Sequence, residues 1–168
     1  MINLSVIVPF FNEEQFLDES VNRLLSNDIY TSIYLIDNNS TDNSHEIAKN
    51  LAGKYEKIEL FKTGKNKGKG SALAFSKNLI HTSHVVIHDA DLEYFPEDII
   101  EMFELAKQNQ NSLILGSRFI GSKKRETIYR RTFLAHSVMA LFCPLVKYHR
   151  TSDVATCYKL MPVEFFKN

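Results

Sequence analysis

The sequence predicts an α/β protein with a mostly parallel sheet that is covered by helices on both faces. Short apolar runs rich in β-branched residues alternate along the chain with segments of helical periodicity. The links between these segments are short, so each helix is expected to connect two parallel strands. In such sheets the ligand site lies outside the carboxyl ends of the strands. We therefore expect a functional site at that edge.

Each element has its own local signal. The first apolar run is typical of a strand that is buried on both faces. Asn43, with Glu46 three positions later, marks a helix start, and Pro96 marks another. The inner stripe of the first helix is predicted to consist of Phe16, Val21, Leu24 and Leu25. The predicted strands are residues 4–10, 33–36, 58–61, 113–115 and a run that begins at 85; the predicted helices are residues 14–26, 43–54, 71–80 and 97–108.

Composition and charge exclude several classes of protein. The 168 residues are 44% hydrophobic, which is enough for one domain with a core, and we expect a single domain over residues 1–168. The formal net charge of +0 gives no reason to expect a nucleic-acid partner. Cys143 and Cys157 are far apart, so neither a disulfide framework nor a zinc site is indicated. Without a basic leader before Leu4, we expect a cytoplasmic protein.

The last third of the chain concentrates basic and apolar residues. Its basic groups are Lys123–Arg125, Arg130–Arg131 and Lys147–Arg150. They are interpreted either as a solvated helix face or as a seat for phosphates or anionic lipid. The most apolar stretch, residues 133–146, is too short to span a bilayer. The longer segment 128–146 is interpreted either as an ordinary core helix or as a helix that lies on the membrane surface. The sequence leaves both pairs of alternatives open.

Two carboxylates follow the strand that begins at residue 85. In an extended chain alternate side chains share a face, so Asp89 and Asp91 are expected to point the same way. Carboxylate oxygens suit Mg²⁺ or Mn²⁺, and these ions usually also hold substrate phosphates. The alternative is a solvated loop between strand and helix. His84 and His88 have no third partner at ligand spacing and are interpreted as core or edge histidines.

Four polar segments follow predicted strands and are expected to converge on one crevice. They are residues 9–13, 37–42, 89–93 and 116–118. A glycine- and lysine-rich loop at residues 64–70 invites comparison with phosphate-binding loops. Its spacing does not match Gly-X-X-X-X-Gly-Lys-Ser/Thr, so a P-loop ATPase is not indicated. Lys69 in this loop is interpreted either as a ligand-binding residue or as a solvated lysine.

Five motifs carry a resemblance to a known family. They are residues 6–14 (VIVPFFNEE), 37–42 (DNNSTD), 66–70 (NKGKG), 89–91 (DAD) and 116–119 (GSRF). In this order and at these spacings they resemble family 2 glycosyltransferases of the GT-A (Rossmann-like) fold. The dolichyl-phosphate mannose synthase branch, which makes polyprenyl-phosphate sugars, is the most similar. The resemblance extends from residue 4 to about residue 160. Members of the family continue further, so we expect that a C-terminal segment is missing.

The resemblance implies roles for individual residues. The metal, Mg²⁺ or Mn²⁺, would be held by Asp89 and Asp91, with Glu93 as a third ligand or a supporting group. Arg118 would add a second cation on the donor diphosphate, and Asp37 would hydrogen-bond the base or ribose. Ser40 and Asp42 are interpreted equally well as turn and cap residues. The nucleotide-sugar-binding residues implied are Pro9, Asn12, Glu13, Asp37, Asn38, Ser40, Lys69, Asp89, Ala90 and Asp91.

The acceptor side is implied by the tail at residues 151–159. It resembles an Asp-X-Glu-Thr-Cys-Tyr-Lys segment of the polyprenyl-phosphate branch, but Ala155 replaces the glutamate. Asp153 is the one motif-borne candidate for a general base, and Arg130 and Arg131 are candidates to bind an acceptor phosphate. The resemblance implies transfer of a hexose with inversion, from a UDP- or GDP-linked donor to polyprenyl phosphate at the inner face of the membrane. A glycan acceptor, or a nucleotide-sugar-binding module without catalysis, are the alternatives.

Overall fold

The computed structural model describes residues 2–117, 153 and 156–168. Its strands are β1 (Leu4–Phe10), β2 (Tyr30–Asp37), β3 (Ile58–Lys62), β4 (His84–Ile87), β5 (Ile114–Leu115) and β6 (Lys159–Pro162). Its helices are α1 (Leu17–Leu25), α2 (Ser44–Lys54), α3 (Lys69–Ser76), α4 (Glu97–Gln108) and α5 (Val163–Lys167). The alternation of strands and helices up to β5 confirms the predicted α/β class.

The six strands form one sheet in the order β3-β2-β1-β4-β6-β5. The pairs β1–β2, β1–β4 and β2–β3 are parallel, as predicted. Strand β6, which the sequence did not predict, lies antiparallel between β4 and β5. Its signal is weak because it has four residues, one of them Pro162, and its pairing partners lie far away in the chain. The parallel strands therefore place the ends of β1, β2, β3 and β4 at one edge.

The core surrounds the two central strands. Every residue of β1 is buried, which confirms a strand covered on both faces. Helix α3 packs against β1 and β2, and helix α4 packs against β5 and β6. Gly116 allows the end of β5 to approach the C-terminal segment, because a Cβ at this position would lie 2.8 Å from the Cβ of Tyr158. The backbone N–H of Gly116 donates to the carbonyl of Tyr158 at 2.9 Å, so this contact closes that side of the sheet.

Two helices begin two or more residues away from their predicted starts. Helix α1 begins at Leu17 because the amides of Phe16 and Leu17 both donate to the carbonyl of Glu13, which makes a turn of residues 14–16. Phe16 is consequently 41% exposed, and its assignment to the inner stripe is wrong, whereas Val21 and Leu24 are buried. Helix α3 begins at Lys69, two residues earlier than predicted, directly after Gly68 with its positive φ of 85°.

No helix in the described ranges is long and apolar enough to cross a membrane. The segment 128–146, the basic groups between residues 123 and 150, and Cys143 lie outside the described residues. Arg118, Arg130, Arg131 and Ala155 also lie outside them. The structural roles predicted for these residues therefore remain predictions.

Candidate functional site

A cavity of about 290 Å³ opens at the carboxyl edge of the sheet, where the ligand site was expected. Seven residues predicted from the sequence line it: Pro9, Glu13, Asn38, Lys69, Asp89, Ala90 and Asp91. Five residues that were not predicted line it as well: Phe10, Phe11, Asn66, Gly68 and Ala72. The cavity thus combines an apolar wall with carboxylates, amides and one ammonium group. This composition suits a ligand that has both a flat, weakly polar part and a strongly charged part.

Asn12 and Ser40 lie outside the cavity lining and join the loops that follow β1 and β2. The Oγ of Ser40 accepts a hydrogen bond from the backbone N–H of Asn12 at 3.1 Å. The Oδ1 of Asn12 accepts one from the backbone N–H of Thr41 at 2.9 Å, with Asn12 at a φ of 56°. An asparagine tolerates this left-handed conformation better than most residues. Both predicted ligand-binding residues therefore have a turn-forming role here.

Asp42 also has the turn and cap role that the sequence left open. Its carboxylate accepts hydrogen bonds from the backbone N–H of Ser44 at 3.0 Å and from that of Glu14 at 3.2 Å. Burial acts to raise the pKa of Asp42, but the hydrogen bonds from Ser44 and Glu14 outweigh it and lower the pKa. Asp42 thus connects the start of α2 to the turn before α1.

Asp37 is fully buried at the end of β2 and does not line the cavity. Its Oδ1 accepts a hydrogen bond from the backbone N–H of Ser40 at 2.7 Å. Its Oδ2 lies 2.8 Å from Nδ1 of His45 and 3.5 Å from Nζ of Lys62. A buried carboxylate is stable only when it is paired in this way. Asp37 is therefore engaged within the protein, and its predicted contact with a base or ribose remains a prediction.

Two amide side chains form a network beside the apolar wall. Thr63 Oγ1 donates to Oδ1 of Asn38 at 3.0 Å, and Nδ2 of Asn38 donates to Oδ1 of Asn66 at 2.8 Å. The same Oδ1 of Asn66 accepts the backbone N–H of Gly68 at 2.9 Å. Asn38 is almost fully buried, whereas Asn66 is exposed. The network connects the ends of β2 and β3 to the loop before α3.

The two aspartates predicted to hold a metal both line the cavity, although not for the reason given by the sequence. Strand β4 ends at Ile87, and residues 90 and 91 lie in a bend, so strand alternation does not set their direction. Lys69 forms an ion pair with Oδ1 of Asp89. The Oδ1 of Asp91 accepts the backbone N–H of Glu93 at 3.1 Å. Glu93 itself does not line the cavity, so here it supports Asp91 through its backbone.

The acidic wall of the cavity carries more negative charge than Lys69 neutralises. Burial raises the pKa of Asp91, and the charges of Asp89 and Glu93 raise it further. Burial also raises the pKa of Glu13, as do the charges of Asp91, Asp42 and Asp89. Burial acts to lower the pKa of Lys69, but the neighbouring Cys157 and Asp89 outweigh it and raise the pKa. An additional cation at this wall would relieve the repulsion among its carboxylates.

The residues at this wall fit a divalent cation that is shared with a ligand. No group of three His, Cys, Asp or Glu side chains in the described part of the chain is arranged to hold a metal by itself. Mg²⁺ and related ions are commonly held by one or two carboxylates together with substrate phosphates. Asp89 and Asp91 supply such a pair of oxygen ligands. Burial raises the pKa of Asp91 and the charge of Asp89 raises it further, and a bound cation would offset this repulsion.

The C-terminal segment contacts Lys69, one of the residues that line the cavity. The backbone N–H of Cys157 donates to the hydroxyl of Tyr94 at 2.8 Å, and Nζ of Lys69 lies 3.4 Å from Sγ of Cys157. Burial raises the pKa of the Cys157 thiol to about 12, so this group is neutral at pH 7. Asp153 is also buried, at 2% exposure, and it does not line the cavity.

His88 lies beneath the acidic wall and is a core histidine, as predicted. Its ring is 1% exposed, with Nε2 3.0 Å from Oγ of Ser20 and Nδ1 3.0 Å from the hydroxyl of Tyr158. Burial lowers its pKa to about 4, so the ring is neutral at pH 7. This hydrogen-bonded chain joins α1, the segment before Asp89 and the C-terminal segment.

Comparison with known proteins identifies the family. The family model described as glycosyl transferase family 2 matches residues 5–168. This chain belongs to that family. Dolichol-phosphate mannosyltransferase of Pyrococcus furiosus is 30% identical over 142 residues, which cover 82% of this chain and 40% of that relative. A dolichyl-phosphate β-glucosyltransferase of Trichomonas vaginalis is 28% identical and is matched over 99% of this chain and 55% of its own length. The chain thus spans about half the length of these relatives.

Solved structures confirm the GT-A fold of this family 2 glycosyltransferase. Glucosyl-3-phosphoglycerate synthase from Mycobacterium tuberculosis, in complex with Mn²⁺, UDP and glucosyl-3-phosphoglycerate, has a TM-score of 0.72 at 20% identity, over 97% of this chain and 57% of that one. A mannosyltransferase from Pyrobaculum calidifontis, in complex with GDP-mannose and Mn²⁺, has a TM-score of 0.62 at 21% identity, over 70% of this chain and 36% of that one. At these identities the likeness concerns the fold.

Proposed function

We propose that this family 2 glycosyltransferase moves a hexose from a nucleotide diphosphate sugar to polyprenyl phosphate. The observation that carries the proposal is the cavity at the carboxyl edge, which Asp89 and Asp91 line together with amide and apolar residues. Such a cavity has one wall for a nucleoside and one for a diphosphate with its metal. Two relatives named above act, by their names, on dolichyl phosphate, which supports the choice of acceptor.

The nucleoside is proposed to bind between the apolar residues and the amide network. Strands β2 and β3 supply Asn38 and the loop with Asn66, while β4 leads to Asp89 and Asp91. Strand β1 lies between β2 and β4 in the sheet. Because neighbouring strands are about 4.8 Å apart, the two walls lie on the order of 10 Å apart, which suits the length of a nucleoside diphosphate. Phe10 and Phe11, at the end of β1, line the cavity between these two sides.

Asp89 and Asp91 are proposed to hold Mg²⁺ or Mn²⁺ together with the donor diphosphate. When bound, the ion supplies positive charge that stabilises the leaving nucleotide. Lys69 is proposed to supply a second cation from the start of α3, and Arg118 a third. These residues keep the diphosphate in place while the bond to the sugar breaks. Both named solved structures contain Mn²⁺, which supports the choice of a divalent ion.

The transfer is proposed to be a direct displacement with inversion. An oxygen of the acceptor phosphate attacks the anomeric carbon from the side opposite the diphosphate, and the bond from that carbon to the diphosphate oxygen breaks. A phosphate oxygen is already ionised at neutral pH, so no general base is required. Arg130 and Arg131 are proposed to bind the acceptor phosphate, at the cytoplasmic surface of the membrane.

Transfer of radiolabelled sugar tests the proposal. Purified protein with Mn²⁺ is given UDP-glucose, UDP-N-acetylglucosamine or GDP-mannose, together with polyprenyl phosphate in detergent or with free glycans. Label on the lipid, lost in EDTA and reduced in an Arg130→Ala or Arg131→Ala variant, is the expected result. If the label is found on a glycan alone, the acceptor is a sugar hydroxyl and not polyprenyl phosphate. Nucleotide binding without any transfer would identify a binding module.

A further inference from the structure

The hydrogen bonds of Asn66 fix the orientation of its side-chain amide. Its Oδ1 accepts two hydrogen bonds, one from the backbone N–H of Gly68 at 2.9 Å and one from Nδ2 of Asn38 at 2.8 Å. A backbone N–H is always a donor. If the amide were turned by 180°, its NH₂ group would face this donor, and a hydrogen bond would become a repulsive contact. The oxygen of Asn66 is therefore turned towards the protein.

This orientation leaves only donors for the cavity. A carbonyl oxygen has two lone pairs, and both of those on Oδ1 of Asn66 are used. Within the described part of the chain, Nδ2 of Asn66 makes no hydrogen bond of its own, although Asn66 lines the cavity. The neighbouring Asn38 has its Oδ1 bonded to Thr63 and its Nδ2 bonded to Asn66, so it adds little to the choice of ligand. With its oxygen engaged in this way, the polar group that Asn66 can still offer to a ligand in the cavity is its N–H.

We propose that Asn66 is a specificity-determining residue that donates a hydrogen bond to an oxo group of the donor's nucleobase. Uracil and guanine carry an oxo group on the ring carbon where cytosine and adenine carry an amino group. An amino group at that position would meet the N–H of Asn66 donor to donor, which costs the hydrogen bond and leaves polar groups unpaired. This inference rests on the proposed function, because it assumes that the amide end of the cavity receives the base.

Calorimetric titrations with four nucleotides test the inference. The purified chain with Mn²⁺ is titrated with UDP, CDP, GDP and ADP, and the affinity ratios UDP:CDP and GDP:ADP are compared. At least one ratio is expected to be about tenfold or more in favour of the oxo base. In an Asn66→Asp variant the retained oxygen still accepts from Gly68, while the second oxygen replaces the N–H group in the cavity. That ratio is then expected to fall by about tenfold.

The ratio separates recognition of the base from general charge repulsion. The added negative charge of Asn66→Asp repels all four diphosphates alike, so it weakens each affinity but leaves the ratios unchanged. Asn50→Asp, on the exposed face of α2, is the matched control and is expected to keep the ratios of the parent protein. A thermal melt of each variant verifies that it is folded.

Two results would overturn the inference, and they differ from a failure of the proposed function. If UDP and CDP bind equally, and GDP and ADP also bind equally, Asn66 does not discriminate between bases. If the parent protein discriminates and Asn66→Asp discriminates equally well, another residue reads the base. If none of the four nucleotides binds, the proposed function fails, and the inference about Asn66 fails with it.

Discussion

The two walls of the cavity differ in how completely their polar groups are paired within the protein. On the side of β2 and β3, the amides of Asn38 and Asn66 are bonded to each other, and the nearby carboxylate of Asp37, which lies outside the lining, has three partners within the protein. On the side of β4, Lys69 pairs with Asp89, while Asp91 has a raised pKa caused first by burial. The first wall is therefore shaped before a ligand arrives, whereas the second has an excess of negative charge that a bound cation would neutralise.

This difference suggests how the site divides its work. A wall with fixed donors and acceptors discriminates between ligands, because a wrong partner leaves its groups unpaired. A wall with excess charge binds a cation and, through it, phosphates that all nucleotide donors share. We expect specificity from the first wall and most of the binding energy from the second. Substitutions on the two walls should then have different consequences, beginning with the largest.

Substitution of Asp91 is expected to have the largest effect on ligand binding. Asp91→Asn removes a charge from the wall that is proposed to hold the metal, so metal-dependent binding of UDP or GDP should weaken by roughly 3 kcal/mol, about a hundredfold. Calorimetry with Mn²⁺ and with EDTA measures the metal-dependent part. Asp28→Asn is the matched control, because it makes the same substitution at a fully exposed carboxylate outside the cavity lining. Equal affinities of the parent and Asp91→Asn in Mn²⁺ would contradict the metal site.

The buried ring of His88, next to Asp89 in the chain, should make the stability of the protein sensitive to acid. Burial lowers its pKa to about 4, whereas the unfolded chain binds the proton near the ordinary value of 6.5. The contribution of the neutral ring is complete above pH 6.5 and is lost as the pH falls towards 4, because the unfolded state then binds more protons. Between pH 7 and pH 5 the free energy of unfolding should fall by roughly 2 kcal/mol from this group.

Urea unfolding at pH 7, 6 and 5 tests this prediction. A His88→Gln variant starts from a lower stability, since it disturbs the contacts with Ser20 and Tyr158, but it should lack this part of the pH dependence. His81→Gln, at an exposed position, is the control and should keep it. The same pH dependence in His88→Gln and in the parent would show that another group is responsible.

Asp37 has two possible roles: it can stabilise the loops beside the cavity, or it can also contact the ligand. Substitution of this residue distinguishes the two roles. Asp37→Asn keeps the acceptor for Ser40 but places an NH₂ group towards Lys62 and His45, so the free energy of unfolding should fall by about 1–2 kcal/mol. Asp28→Asn, at a fully exposed carboxylate, should change it little. Nucleotide affinity is then measured where each variant is folded. A large loss of affinity would support the predicted contact with the base or ribose, and an unchanged affinity would restrict Asp37 to shaping the wall.

Many residues at the carboxyl edge of the sheet could be predicted, because the sequence gives the residue types and the order of the predicted strands. The sequence selected Asp89, Asp91 and Glu13 as polar residues that follow predicted strands. It selected Lys69 from the glycine- and lysine-rich loop and the family resemblance, and all four residues line the cavity. The direction of the two aspartates was derived from strand alternation, yet the strand ends at Ile87. A bend directs them instead, and bends depend on tertiary contacts that periodicity does not reveal.

Other features depended on contacts across long distances in the chain. Asn66 was not selected as a site residue. Whether it offers a donor or an acceptor to a ligand depends on the orientation of its amide, which the backbone N–H of Gly68 and the side chain of Asn38 determine. Strand β6 pairs with residues far away in sequence, and four residues that end in proline give little periodicity. The exposure of Phe16 follows from a turn that shortens α1. In each case the sequence shows the residues themselves but not which residues they contact in the folded protein.

Substitution of Lys69 tests whether this lysine leaves Asp89 and pairs with the diphosphate when a ligand binds. In the structure the ammonium group pairs with Asp89, one of the two oxygen ligands proposed for the metal. A metal ion must then compete with Lys69, unless the diphosphate takes over the lysine when nucleotide and metal arrive together. Lys69→Met should therefore bind Mn²⁺ alone more tightly, yet bind the Mn²⁺–nucleotide complex more weakly. Both changes should be about 1 kcal/mol, about fivefold, because the side chain is 43% exposed and solvent screens the pair.

Electron paramagnetic resonance of free Mn²⁺ measures the affinity for the metal alone, and calorimetry measures the affinity for the Mn²⁺–nucleotide complex. Lys67→Met, at an exposed neighbouring lysine, is the control. If Lys69→Met tightens both affinities, the lysine only screens the wall and does not bind the diphosphate; if it changes neither, the ion pair with Asp89 has no part in binding.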